Sequence, residues 1–400
     1  MDNRNNLQHK DDDSKTGQTM TAPAALDSLA AAAAAARRWL FEEAAPLWCR
    51  TDAHGLFAEQ IDAKGHSVPL PHRLRVQARQ IYAMCELGRL GWDGDWRSPV
   101  EACVRTLLAR GRRADGLFIH TFADNGEPLD RRADLYDHAF TLFCLAHAGR
   151  ALGRDDLWDA ADATMDRLES WRHPKGGFRE GEIDGPPRRQ NPHMHLLEAS
   201  LALWQATGRA RWKDLAVEIA SLCRSKFIDP ATGALTEYFV DDWGRLGTDE
   251  GALVEPGHCL EWAWLFERLG ETGIADGAQP SDGLAGFARR FGLDRDRDVA
   301  INEIGLDGRV RSANARLWPQ TERLKAALAR WRRTRRNDEL DEALLAVRGL
   351  WRYFEIPLKG SWRDVLKPDG TFVEQPAPAS SFYHIVCALS ELLETADAAR

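Results

Sequence analysis

Through most of this chain apolar residues recur at i, i+3, i+4 and i+7, the spacing that lines one face of a helix. From Ser28 the alanine run Ala30–Ala36 continues into Arg37, Arg38, Trp39, Leu40 and Phe41, so strong intrinsic propensity predicts a first packed helix there. The same periodicity predicts helices near 72–90, 97–112, 134–152, 155–171, 192–207, 210–226, 258–271, 281–292, 315–333, 337–354 and 380–395, which makes twelve. The connections alternate in length. Gly153–Arg154 and Gly208–Arg209 are tight, whereas 172–191, 227–257, 293–314 and 355–379 are long and rich in Gly and Pro. The long ones carry strand-like pieces, Asp307–Gly308–Arg309–Val310 and Asp369–Gly370–Thr371–Phe372–Val373, that read as small hairpins on Asp-Gly turns. Helical pairs with short loops at one end and long loops at the other predict an all-α toroid of helical hairpins. Its long loops would build a site on one face.

Residues 1–20 break the pattern. They are polar, without periodicity and without the apolar stretch of a secretory signal, so they read as a flexible leader or tag with Met20 a candidate start. Residues 21–400 contain no linker-like stretch and are expected to form one domain. The sequence is 44% hydrophobic and 28% charged, an ordinary globular composition. Its net charge of −8 argues against a nucleic-acid binder, and no apolar run approaches the ~20 residues that span a bilayer. Seven scattered cysteines without a CxxC pair suggest reduced thiols and a cytoplasmic enzyme. Fifteen tryptophans is high for the length; on helices they can fill the core, and they also suit stacking on sugar rings.

Six stretches carry candidate chemistry. In the first, Arg75, Arg79, Tyr82 and Glu86 share a helix face, and Arg79 sits in an apolar run where a buried guanidinium needs a polar partner. In the second, Asp134 is a natural N-cap and Tyr136 could offer a hydroxyl to a ligand. In the third, Asn191 reads as an N-cap with Pro192 at the first helical position, and Asn191, His195 and Glu198 face one way. His193 points elsewhere: on a helix its ring diverges from that of His195 by roughly 200°, which disfavours a metal chelate.

The fourth stretch is Pro256–Gly257–His258–Cys259–Leu260–Glu261, a turn feeding an aromatic helix. An imidazole with a carboxylate three residues on, at a helix mouth, is a general acid/base arrangement. In the fifth, Trp318 and Glu322 lie one turn apart and suit ring stacking plus hydroxyl recognition. In the sixth, after a proline-stiffened loop, Ser380 or Ser381 is expected to cap the last helix, with His384 in its first turn. Three histidines (195, 258 and 384) at three helix starts, each after a long loop, point to a convergent site.

The strings RVQARQIY, LYDHAF, QNPHMHLLEA, VEPGHCLEWAW, RLWPQTE and ASSFYHIV together resemble the N-acylglucosamine 2-epimerase family, most of all its mannose isomerase branch, from about residue 35 to 395. The resemblance implies an (α/α)6 barrel and metal-independent, cofactor-free proton transfer by histidines. Carried over, His258 and His384 are the acid/base pair. Arg79, Tyr136, Asn191, His195, Glu261, Trp318 and Glu322 bind sugar oxygens or orient the bases, Glu261 steadying His258. The implied reaction converts D-mannose to D-fructose, or D-lyxose to D-xylulose, through a cis-enediol. Alternatives are 2-epimerisation of mannose/glucose, cellobiose or N-acylglucosamine, and isomerisation of a sugar phosphate. The stretch 227–250 does not align with the family. A glycoside hydrolase on the same toroid would need two catalytic carboxylates, and here histidine is the repeated element. No phosphate loop is present, which favours an unphosphorylated monosaccharide as the partner. The protein itself is expected as a monomer or homodimer, bound to neither membrane nor nucleic acid.

Overall fold

The computed structural model describes residues 26–399; the leader expected at 1–20 lies outside them. Twelve long helices are found among the described residues. They are α1 (Leu29–Arg38), α2 (Leu74–Arg89), α3 (Arg97–Thr106), α4 (Leu135–Leu152), α5 (Asp155–Leu168), α6 (Asn191–Thr207), α7 (Ala210–Leu222), α8 (Pro256–Glu271), α9 (Ala278–Phe291), α10 (Leu317–Thr334), α11 (Asn337–Phe354) and α12 (Ser380–Ala398). Ser28 caps α1 by accepting from the Ala31 amide, and α1, α3 and α7 each run on into a π-helical turn.

Helix α9 starts three residues before the expected Ser281. Asp276 Oδ1 accepts from the Ala278 amide, and Pro280 in the first turn has no intrahelical N–H bond to lose. Ser281 itself is buried.

Burial sorts the helices into two rings. The even-numbered ones are buried nearly all round: α2 continuously from Val76 to Leu87, α8 from Pro256 to Glu267, α10 from Leu317 to Arg330. The odd-numbered ones bury a stripe, as α3 does with Val100, Cys103, Val104 and Thr106. The even helices form an inner ring that α12 closes against α2, and each odd helix packs outside a neighbour. This is an (α/α)6 barrel. All seven cysteines are free, and no helix among the described residues is long and apolar enough to cross a membrane.

The long loops at the inner helices' N-terminal end are stitched into a closed rim. His72 pairs with Phe122, Asp134 with Gly181, Arg188 with Phe239, Leu253 with Gly305, Arg316 with Val365 and Pro378 with Gln60, so each loop is bridged to the next and the last to the first. Both expected hairpins are present, the first pairing Glu303–Gly305 with Val310–Ser312 and the second folding Phe372 back on Leu366.

A second device locks loops to helices. In the first turn of four inner helices a polar side chain grips the hairpin before it. Gln77 accepts from the Phe57 amide (2.7 Å), His138 from Phe118 (2.9 Å), His193 from Phe178 (3.0 Å) and Gln320 from Ala300 (2.7 Å). Gly177 lets His193 approach: its φ is +70°, and a Cβ there would lie 2.7 Å from the imidazole. His193 is therefore a structural tie facing away from the site, as the helical geometry required.

Candidate active site

All six inner helices send side chains from their first two turns into one pocket inside the rim. Its wall holds Arg79, Tyr136, Asn191, His195, Glu261, Trp318, His258 and His384, together with Glu255, Arg316, Ser380 and Ser381, around about 200 Å³. Eight of the nine residues singled out in the sequence are thus brought together. The ninth, Glu322, lies fully buried behind His384. Six helix N-termini aimed at this space favour negative charge developing there.

Each histidine is oriented by a carboxylate, and the partners decide its charge. His258 Nδ1 lies 3.0 Å from both oxygens of Glu237, with Glu255 at 3.8 Å. Burial disfavours the cation, but Glu237 and then Glu255 outweigh it, and His258 is pushed up to about 10. Glu255 rises to about 7, mainly through burial and against the pull of His258. The expected partner of His258 was Glu261, which makes no hydrogen bond to it. The partner found, Glu237, is held by Gln190 Nε2 (2.9 Å), and Gln190 in turn accepts from Trp262 Nε1 (2.6 Å).

His384 meets the opposite environment. Its Nδ1 lies 2.8 Å from Glu322 Oε1, which leaves Nε2 as the free ring nitrogen. Burial, then Arg79 and Lys325, hold it well below the usual histidine range. His195 donates towards Glu198 (3.3 Å) and is kept near 4 by burial despite that carboxylate. The site therefore joins one cationic imidazole to two neutral ones. Trp318 lies against both His258 and His384, its ring 4.9 Å from the first and 5.7 Å from the second. Gly257 makes room for it: a Cβ there would lie 2.5 Å from the indole.

Arg79 is the pocket's guanidinium without a carboxylate partner. It donates to Tyr136 Oη (2.7 Å) and sits 4.1 Å over the Phe140 ring, with Nε unpaired. Such a group is ready for an oxyanion. Asn191 lies 3.2 Å from His258 Nε2 through its amide, and its Oδ1 is buried without a partner. A cationic His258 carries a proton on Nε2, so a half-turn of the amide lets Oδ1 accept from it.

Two capping expectations are corrected. Asn191 lies inside α6 and spends its side chain on the pocket rather than on a cap. Helix α12 has no side-chain cap, because Ser381 donates to Asp364 (2.9 Å) and Ser380 faces the pocket. Asp134 does cap α4, accepting from the Asp137 amide. Outside the pocket, His120 lies against Asp134 and Asp137, and Arg75 balances that pair through Asp137 (3.0 Å).

The family model described as N-acylglucosamine 2-epimerase (GlcNAc 2-epimerase) matches residues 55–388. A protein of Rhizobium meliloti (strain 1021) named mannose-6-phosphate isomerase is 41% identical over 367 residues, 88% of this chain and 95% of its own. A D-mannose isomerase of Thermobifida fusca is 32% identical over 284 residues, 64% of this chain and 67% of its own. A crystal structure of D-mannose isomerase has the same fold, with a TM-score of 0.83 at 20% identity, covering 94% of this chain and all of that one. The chain belongs to the N-acylglucosamine 2-epimerase family and is an isomerase or epimerase of sugars.

Proposed function

We propose that the protein interconverts D-mannose and D-fructose by moving a proton between C2 and C1. The observation that carries this reading is the pairing of a cationic His258 with a neutral His384 across Trp318, a proton donor and a proton acceptor on one small pocket. His258 assists ring opening by protonating the ring oxygen, and takes up the proton that leaves O1 as the C1 carbonyl forms. In the open chain, His384 Nε2 takes the C2 proton, and the electron pair left behind forms the C1–C2 double bond as O1 gains a proton from His258. The cis-enediol is steadied by Arg79 and the converging helix N-termini. Return of the proton from His384 to C1, as the O2 proton goes back to His258, yields the ketose. Asn191, His195, Glu261 and Tyr136 hold the hydroxyl groups.

A second reading, the 6-phosphate of the same sugar, is favoured by the Rhizobium meliloti relative and by Arg316 at the pocket rim, beside Asp364 at 3.5 Å. The pocket's charge balance supports the free sugar: His258 faces Glu237, Arg316 faces Asp364, and Glu255 adds a carboxylate at the wall. Proton NMR in deuterated water with mannose, mannose 6-phosphate, glucose and cellobiose separates the readings. Deuterated fructose formed from mannose supports the first. Turnover of the phosphate alone selects the second, and 2-epimers without ketose overturn both.

A further inference from the structure

Beneath the sugar pocket lies a dry cluster of charge. Glu322 and Lys325 are fully buried, and Glu261 and Glu198 are 1% and 4% exposed. Lys325 Nζ lies 2.7 Å from Glu322 Oε2 and 3.8 Å from the centre of the Trp264 ring. Glu261 is the hub: its carboxylate reaches within 4.8 Å of Glu322 and His384 on one side and of His195 and Glu198 on the other. Its Oε1 is buried without a hydrogen-bond partner.

Three carboxylates this deeply buried do not all ionise against one ammonium, because buried charge without a partner is strongly disfavoured and the group neutralises instead. The arrangement chooses which one keeps the proton. Glu322 has the Lys325 ammonium as its ion-pair partner, which opposes the upward push of burial on it, and His384 as a donor; Glu198 has His195 and the Tyr383 hydroxyl as donors. Glu261 has no such donor. Burial and then the neighbouring Glu322 push it well above the usual carboxylate range. With Glu261 neutral the cluster balances, Lys325 and Arg79 standing against Glu198 and Glu322.

We propose that Lys325 is a positioning residue for the reaction: its ammonium keeps Glu322 ionised and leaves the spare proton on Glu261, so that Nε2 of His384 meets the sugar as an unprotonated base. The proposal rests on the assignment of His384 as the base. It also gives Glu261 a stated chemistry, that of a neutral acid donating its proton in a hydrogen bond to a sugar oxygen. The groups facing His384 are Glu322 and Lys325 from α10, Arg79 from α2, His195 and Glu198 from α6, Glu261 from α8, and Tyr383 from its own helix.

Removing the ammonium has one outcome by either route. By the first, Glu322 takes up a proton and donates it in a hydrogen bond to His384 Nδ1, which places the ring proton on Nε2. Alternatively His384 itself takes the proton and pairs with Glu322. In both cases the base is blocked at neutral pH.

The test uses Lys325→Met, which keeps the length and removes the charge. The acid limb of the kcat/KM profile should move to higher pH. kcat should fall roughly 10–100-fold, the scale for partners that orient a functional ring, with KM little changed. Lys325→Arg should keep the acid limb in place. Nitrogen-15 NMR of the imidazoles should show His384 in the parent enzyme with hydrogen on Nδ1 alone, and in Lys325→Met with hydrogen on Nε2. An unmoved acid limb in folded Lys325→Met overturns the proposal, and so does a protonated Nε2 in the parent at neutral pH. If Lys325→Met fails to fold, Lys325→Gln, uncharged but able to donate to Glu322, replaces it under the same criteria. The NMR readout needs no turnover, so it stays separate from the assignment of His384, which stands or falls with His384→Asn.

Discussion

Glu237→Gln separates the charge that holds His258 protonated from the hydrogen bond that orients it. His258 stands at about 10 against an ordinary 6.5, which at about 1.4 kcal/mol per pH unit is roughly 5 kcal/mol in favour of the charged ring. Glu237, at 3.0 Å, supplies the larger part and Glu255, at 3.8 Å, the rest. Glutamine keeps an oxygen for Nδ1–H but no charge. If Glu237 provides about half, His258 should then lose its proton about two pH units sooner. The assay is kcat/KM for mannose–fructose conversion from about pH 6 to 11, with spontaneous alkaline isomerisation subtracted. The alkaline limb should move down by that amount, and neutral activity should fall less than the limb moves.

Stability supplies an independent sign. A histidine whose folded pKa is raised contributes fully below the unfolded value of 6.5 and loses that contribution as pH rises through about 10. The stability gap between parent and Glu237→Gln should therefore be widest in acid to neutral solution and close towards pH 10. About 2–3 kcal/mol is expected where it is widest, half the figure above. The gap reads mainly the charge, because a glutamine oxygen in the place of Oε2, 3.0 Å from His258 Nδ1 and 2.9 Å from Gln190 Nε2, can accept from both. An alkaline limb within about half a pH unit of the parent's would refute the reasoning, because it would mean that Glu237 does not set the charge of His258.

Other outcomes follow from the same geometry. His384→Asn should keep sugar binding by calorimetry while turnover falls ~10²–10⁴-fold, the worth of a positioned acid/base group, whereas His193→Asn should mainly lower the melting temperature, because His193 ties the Phe178 amide outside the pocket. His258→Asn should spare some activity on sugar already in open-chain form. Gly257→Ala should displace Trp318, whose ring would lie 2.5 Å from the new methyl, and raise KM while leaving the pH profile in place; an unchanged KM would show that the indole does not bound the sugar. Exhaustive chelation should leave turnover intact, because His193, the neighbour that could pair with His195 as a chelate, is tied to the Phe178 amide outside the pocket; loss restored by zinc or manganese would overturn the histidine-only chemistry.

Much of this was legible before the coordinates, and the misses share a cause. Inner helices are buried all round and outer ones on a stripe, so both leave a period in the sequence, and the twelve helices follow from it. Pocket residues were found because they sit in the first two turns of inner helices, where a polar residue in an apolar run is conspicuous. Asn191 was misread because an N-cap and a pocket amide want the same residue type at nearly the same position. Glu237 was missed because it lies in a loop with no period, and its burial comes from contacts that Gln190 and His258 make across more than twenty residues.

The choice of Glu261 as the partner of His258 failed on direction rather than on spacing. Cα–Cβ bonds on a helix lean toward its N-terminus, so a side chain in the first turn leans out of the helix and over the preceding loop. His258 therefore meets Glu255 and Glu237, upstream of it, while Glu261, one turn deeper, reaches the barrel floor beside Glu322 and Glu198. The same lean carries His384 and His195 toward the pocket mouth, with their carboxylates below. Of the pocket histidines, His258 is charged because Glu237 and Glu255 stand in the rim loop beside it, whereas burial, Arg79 and Lys325 keep His384 neutral above Glu322. That difference in depth would let one barrel hold the proposed acid and base a tryptophan apart.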